Sequence, residues 1–160
     1  IYLSDREWDA IRDAGASIAH CPTSNAFIGS GLFHATRSYG AGIRTGLATD
    51  VGGGSSFSML RTMASAYEIG QLRGDALHPS QLLYMATVGS ADALHIGDKV
   101  GNLEASKDAD IIVLDLASSK VIEQRVRRSE SLWEALFPTI MLGDDRAIAA
   151  VYIAGNRVNG

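Results

Sequence analysis

Asp50 closes a short apolar segment, Ile43-Arg44-Thr45-Gly46-Leu47-Ala48-Thr49, and is followed by Val51 and the run Gly52-Gly53-Gly54. In a parallel α/β protein, reactive side chains gather at the carboxyl ends of the strands. The glycines leave space through which a metal ion, a water or a substrate could reach the carboxylate. The plainer reading of Asp50 is a turn residue or a helix cap. His20 ends another short apolar segment, residues 16–21, and could face the same mouth. Its plainer reading is a hydrogen-bonding histidine at a strand end. His34, His78 and His95 fall on helical or loop segments and read as structural or solvated. No histidine pair has the one-residue spacing of a strand-borne clamp or the four-residue spacing of a helical zinc motif. A zinc site needs three or four converging donors, and one carboxylate is not a set. Cys21 beside His20 is a candidate thiol nucleophile, weakened by Pro22 and by the lack of an acid partner. Ser55 and Ser56 lack the Gly-x-Ser-x-Gly elbow, and Ser56 reads better as a helix N-cap. The glycine run has no P-loop lysine and is not a Gly-x-Gly-x-x-Gly fingerprint. Met59, Met63 and Met85 have core spacing.

Two β-α repeats carry these residues. Ser4 and Glu7 have capping-box spacing for a helix over residues 4–13, with Trp8 and Ile11 on one face. Gly15 ends it. Residues 16–21 form a strand that Pro22 stops, and residues 23–31 a loop of turn formers. A short helix over 32–39 precedes a strand over 43–49, then a long helix over 57–72 that Gly74 ends. Pro79 opens a further helix, and residues 90–95 another. Such repeats build parallel sheets or a β/α barrel. The pattern changes near Gly97. Residues 111–116 form a clear strand, residues 129–142 a helix interrupted by Pro138, and 147–153 with 157–158 a hairpin around Ala154-Gly155-Asn156. These later strands come without crossover helices.

The chain has 160 residues, 46% hydrophobic and 20% charged, with a net charge of -4. It can bury a core, and its composition is neither low-complexity nor disordered. The acidic balance, with a pI of about 5.5, argues against a nucleic-acid partner, which would leave a basic stripe. Arg125, Arg127 and Arg128 are diluted by Glu123 and Glu130. A single cysteine excludes an intrachain disulfide and points to a reducing, cytoplasmic compartment. No run of about 18 apolar residues predicts a membrane span. Ile1-Tyr2-Leu3 reads like the end of a strand that runs straight into a helix start, so the chain reads as part of a longer protein.

The string His20-Cys21-Pro22-Thr23-Ser24-Asn25, with Gly29-Ser30-Gly31-Leu32-Phe33 after it, resembles a segment of the amidohydrolase superfamily of metal-dependent hydrolases. Residues 46–60 resemble that family's eighth-strand segment. Leu142-Gly143-Asp144-Asp145-Arg146 with Val151-Tyr152-Ile153-Ala154-Gly155 resembles the carboxyl-terminal part of its guanine-deaminating branch. The resemblance covers nearly the whole chain. It implies an α/β fold: the C-terminal part of a (β/α)8 TIM-type barrel over residues 1–98, then part of a small β-sandwich over 99–160. It implies hydrolysis of guanine to xanthine and ammonia by a metal-activated water, with Zn2+ bound, or iron instead. Asp50 is the one family metal ligand that maps here, and it would also shuttle the proton in catalysis. The histidine ligands, the glutamate acid and the purine-contacting residues would all lie upstream of Ile1, and the piece alone would be inactive. His20 matches a position that is not a ligand. The implied partners are a small-molecule purine and a second copy in a homodimer, with no nucleic acid or membrane. Two departures stand out, Ser106 and Ala48, each where the family usually has glycine. The alternatives are a superfamily deaminase of other aminated heterocycles, a non-catalytic amidohydrolase-like assembly protein, and an unrelated α/β module that uses the glycine loop for an anion.

Overall fold

The structure, a computed structural model, describes residues 2–159. Helix α1 (Asp5–Asp13) begins as the capping spacing predicts. The Glu7 carboxylate accepts hydrogen bonds from the Ser4 N–H and hydroxyl, both at 2.7 Å. Ile1 lies outside the described residues, and Tyr2 and Leu3 form no strand. Strand β1 (Ile18–His20) follows, then α2 (Pro22–Phe27). That segment was expected to be a loop. Pro22 at the first helical position, where its missing N–H costs nothing, starts a short helix from turn-forming residues. Helix α3 (Ala35–Gly40) leads into β2 (Thr45–Leu47).

Strands β1 and β2 pair in parallel, with Ile18 opposite Thr45 and His20 opposite Leu47. Helix α4 (Met59–Arg73) follows β2 after an eleven-residue loop, as the two β-α repeats predict. Its N-cap is Ser58 rather than Ser56: the Ser58 hydroxyl accepts from the Arg61 N–H. Gly74 ends it in the left-handed conformation, φ 78°. Helices α5 (Pro79–Ala86) and α6 (Val88–Ala93) come next. Helix α6 lies against β2 so closely that a Cβ on Gly46 would sit 2.6 Å from both Cα and Oγ of Ser90. The Ser90 hydroxyl reaches the Leu47 carbonyl at 3.1 Å and the Met85 carbonyl at 2.8 Å.

Beyond α6 the chain forms β3 (Ile111–Leu114), α7 (Lys120–Val126), α8 (Leu132–Leu142) and a 3-10 turn over Asp145–Ala147. Strands β4 (Ile148–Ile153) and β5 (Asn156–Asn159) complete an antiparallel sheet in the order β3-β4-β5. The hairpin around Ala154 and Gly155 forms as expected. Helix α7 has no counterpart in the sequence reading. Two helices, α7 and α8, stand between β3 and β4, where the sequence reads as strands without crossover helices; the two strands pair antiparallel, so the helices do not make a parallel crossover.

One apolar core spans both parts of the chain. Trp8, Phe33, Ile43, Leu47, Leu60, Met63, Leu82 and Met85 are buried together with Leu136, Ile140 and Ala147, with Met59 packed against them. Among the described residues no helix is long and apolar enough to cross a membrane.

Candidate active site

The parallel register makes the chain leave β1 and β2 at the same end. From β1 it passes through Cys21 into α2. From β2 it passes through Ala48 and Thr49 to Asp50, so Asp50 and the first turn of α2 lie side by side. The Thr23 hydroxyl ties the two exits together by donating to the Thr49 carbonyl at 3.4 Å.

Asp50 has φ 48°, the left-handed region that aspartate tolerates better than most residues. This bend lets its own carbonyl accept the N–H groups of Gly53 (3.0 Å) and Gly54 (2.5 Å). The turn depends on glycine at its closure: a Cβ on Gly54 would lie 2.0 Å from the Thr49 carbonyl oxygen. Gly53 is crowded by side chains instead. A Cβ there would meet Ser24 Oγ at 2.8 Å and Asp50 Oδ2 at 3.2 Å. The Asp50 residue is exposed, and its carboxylate makes no hydrogen bond or ion pair with another described residue. It is therefore neither a helix cap nor part of the packed interior, and both oxygens are open to an incoming group.

His20 does not join it. It is 1% exposed, stacked on Phe33 with ring centroids 4.7 Å apart, and its Nδ1 has no partner among the described residues. Burial pushes its pKa down to about 4, so it is neutral near pH 7. Both the rim reading and the hydrogen-bonded reading of His20 give way to an apolar, ring-packed one. It shares the side of β1 occupied by Ile18, which packs on the core. The Cys21 thiol is pushed up, first by burial and then by the Asp50 charge. A thiol so placed stays protonated, which is wrong for a nucleophile.

The remaining candidates serve local structure. His34 Nδ1 lies 2.5 Å from Asp75 Oδ2, and the Thr36 hydroxyl donates to the same carboxylate at 2.8 Å. His78 caps α5, its Nδ1 accepting from the Ser80 N–H, and stands edge-on to Trp133. His95 is exposed at the end of α6 with φ 58°. The Ser56 hydroxyl accepts from the Ser58 N–H. A groove of about 910 Å³ is lined by Tyr67, His78, Arg125, Arg128, Trp133 and Phe137 among others and shares no residue with the Asp50 turn.

Among the described residues no three His, Cys, Asp or Glu side chains converge as a metal set. Asp50 by itself fits the part of one oxygen donor, being ionisable, uncommitted and open.

The family model described as "Amidohydrolase family" matches residues 1–158. A guanine deaminase from Escherichia coli (strain K12) is 38% identical over 158 residues, covering 99% of this chain and 36% of that protein. A solved structure of E. coli guanine deaminase superposes with a TM-score of 0.96 at 38% identity, over 99% of this chain and 37% of that one. Guanine deaminase from C. acetobutylicum, solved with bound guanine in the active site, gives 0.84 at 31% identity, over 99% and 38%. An adenosine deaminase from Xanthomonas campestris, solved with bound zinc, gives 0.80 at 26% identity, over 97% and 34%. The chain thus spans little more than a third of the relatives it matches.

Proposed function

The chain belongs to the amidohydrolase family, and on that footing we propose that it is the carboxyl-terminal part of an enzyme that hydrolyses guanine to xanthine and ammonia. One observation carries the reading. An open, unpaired carboxylate stands where two parallel strands end, in a chain that matches guanine deaminases almost throughout its length. Residues 1–98, with the parallel β1–β2 pair and its helices, are the last units of a (β/α)8 barrel. Residues 99–160, with the antiparallel β3-β4-β5 sheet, are part of a small β-sandwich. The mixed α/β elements and their pairing support that division.

Asp50 is one ligand of a divalent metal, zinc or alternatively iron, whose other donors come from polypeptide outside residues 2–159. The metal, when bound, supplies an activated water at neutral pH. Asp50 would hold the metal, and its carboxylate would take up the proton the attacking water loses as the water oxygen bonds to the amino-bearing ring carbon. It would give that proton to the amino nitrogen as the carbon–nitrogen bond breaks and ammonia leaves, while the second water proton returns to the acid that protonated the ring nitrogen. The purine contacts and the acid that protonates the ring also lie outside this chain. A reducing, cytoplasmic setting agrees with the free Cys21. A homodimer is part of the same proposal.

The test is ammonia release by the whole enzyme, loaded with zinc, from guanine, an adenine-type purine, cytosine and an aminated triazine. Turnover of guanine at ordinary enzyme rates supports the proposal. Turnover confined to another heterocycle moves the chain to a different deaminase. No turnover of any, with metal bound, makes it a non-catalytic relative.

A further inference from the structure

The first turn of α2 places an unused hydroxyl beside the Asp50 turn. Ser24 is 1% exposed, yet its hydroxyl makes no hydrogen bond to another described residue. Ser24 Oγ and Asp50 Oδ2 both close on one point, the position a Cβ would take on Gly53, at 2.8 and 3.2 Å. The two oxygens are therefore no more than about 6 Å apart, near enough for a rotamer change or one bridging water to connect them. Gly53 itself does not have a left-handed φ. Its backbone accepts alanine, so glycine is needed there for space rather than for conformation.

We propose that Ser24 is a positioning residue: its hydroxyl, across the gap that Gly53 leaves open, holds the Asp50 carboxylate in its working orientation. The inference rests on Asp50 being the metal-binding and proton-accepting group. A carboxylate on an exposed, left-handed turn has free side-chain torsions, and a polar neighbour fixed in a buried helix turn restricts them. Partners of this kind, which touch the ligand rather than the metal, commonly carry about 10- to 100-fold in metal affinity or activity.

A double-mutant cycle in the whole enzyme tests it. Ser24→Ala and Gly53→Ala are made singly and together, with metal affinity measured by chelator competition, kcat at metal saturation, and melting temperature as a fold control. Ser24→Ala should lower metal affinity or kcat about tenfold while the KM for guanine stays within about twofold. Gly53→Ala should do the same by pushing a methyl against both oxygens. Together they should cost no more than the worse single change, because removing Ser24 Oγ gives the new methyl room. Losses that multiply, or a Ser24→Ala enzyme within twofold of wild type in both readouts, overturn the proposal. Should Ser24→Ala fail to fold, Gly53→Ala still decides, since a wild-type Gly53→Ala enzyme contradicts the shared gap. Asp50→Ala run alongside separates the two levels. Full activity there removes the role assigned to Asp50, whereas its loss beside a wild-type Ser24→Ala removes only the role assigned to Ser24.

Discussion

Asp50 joins an unusual backbone to an unoccupied carboxylate, and its two properties separate under mutation. Asn tolerates the left-handed region as well as Asp. Asp50→Asn should therefore keep the turn and the melting temperature while deamination falls by about 10²- to 10⁴-fold, the range for losing a positioned proton acceptor. Steady-state kinetics beside a thermal melt checks both halves. His20 gives a second prediction, on stability. It is held neutral by burial with a pKa of about 4, against about 6.5 when unfolded. The unfolded chain then binds the extra proton between those values, so stability is full above about pH 6.5 and falls as the pH drops toward 4. The loss amounts to about 3 kcal/mol for this group. Urea midpoints at pH 7 and 4.5 should differ by more in the wild type than in His20→Gln. Equal differences contradict the assignment. At this scale the sequence marks Asp50 as the candidate, because a carboxylate after a strand and before glycines is a local pattern. It does not show that Ser24 approaches the Asp50 turn, which depends on the parallel register bringing distant segments together. Nor does it show which face of a three-residue strand takes His20 inward.

Elements are held at a few close approaches that a local reading passes over. Gly46 lies in β2 with Ser90 of α6 directly over it. Gly46→Ala should destabilise the fold by about 1–3 kcal/mol through overpacking, read as a lower urea midpoint with unchanged slope. Ser58, the true N-cap of α4, should cost about 1 kcal/mol as alanine, and Ser56→Ala less. The strands, the long helix α4 and the hairpin were legible because short apolar runs, helical period and turn residues mark them locally. Helix α7 was not, since its seven residues bury Ile122 alone and offer only the Ile122–Val126 pair as an apolar face. Helix α2 was hidden by Thr, Ser and Asn, which favour turns in isolation. Here all three are buried, Thr23 and Ser24 against the Asp50 loop, and tertiary packing overrides propensity.

For the molecule as a whole, the shared core explains how the chain keeps its shape, and its surface explains why we do not expect it to act alone. Phe27, Ile28, Val51 and Phe57 are exposed around α2 and the glycine loop. Strands β1 and β2 form a sheet of two, and an open parallel edge invites further pairing. Residues 1–160 expressed alone should self-associate and leave guanine unchanged even with zinc added. A monomer that turns guanine over at enzyme rates contradicts this. The other donors of the proposed metal site could not be read from the sequence, because such a site is an agreement between distant segments, and among the described residues no three candidate ligands converge. The most direct measurement is therefore a crystal structure of the whole enzyme with its metal, located by anomalous scattering. We expect an Asp50 carboxylate oxygen about 2.0–2.2 Å from the ion. A metal centre with both Asp50 oxygens beyond about 4 Å, outside any bonding distance, would contradict the account.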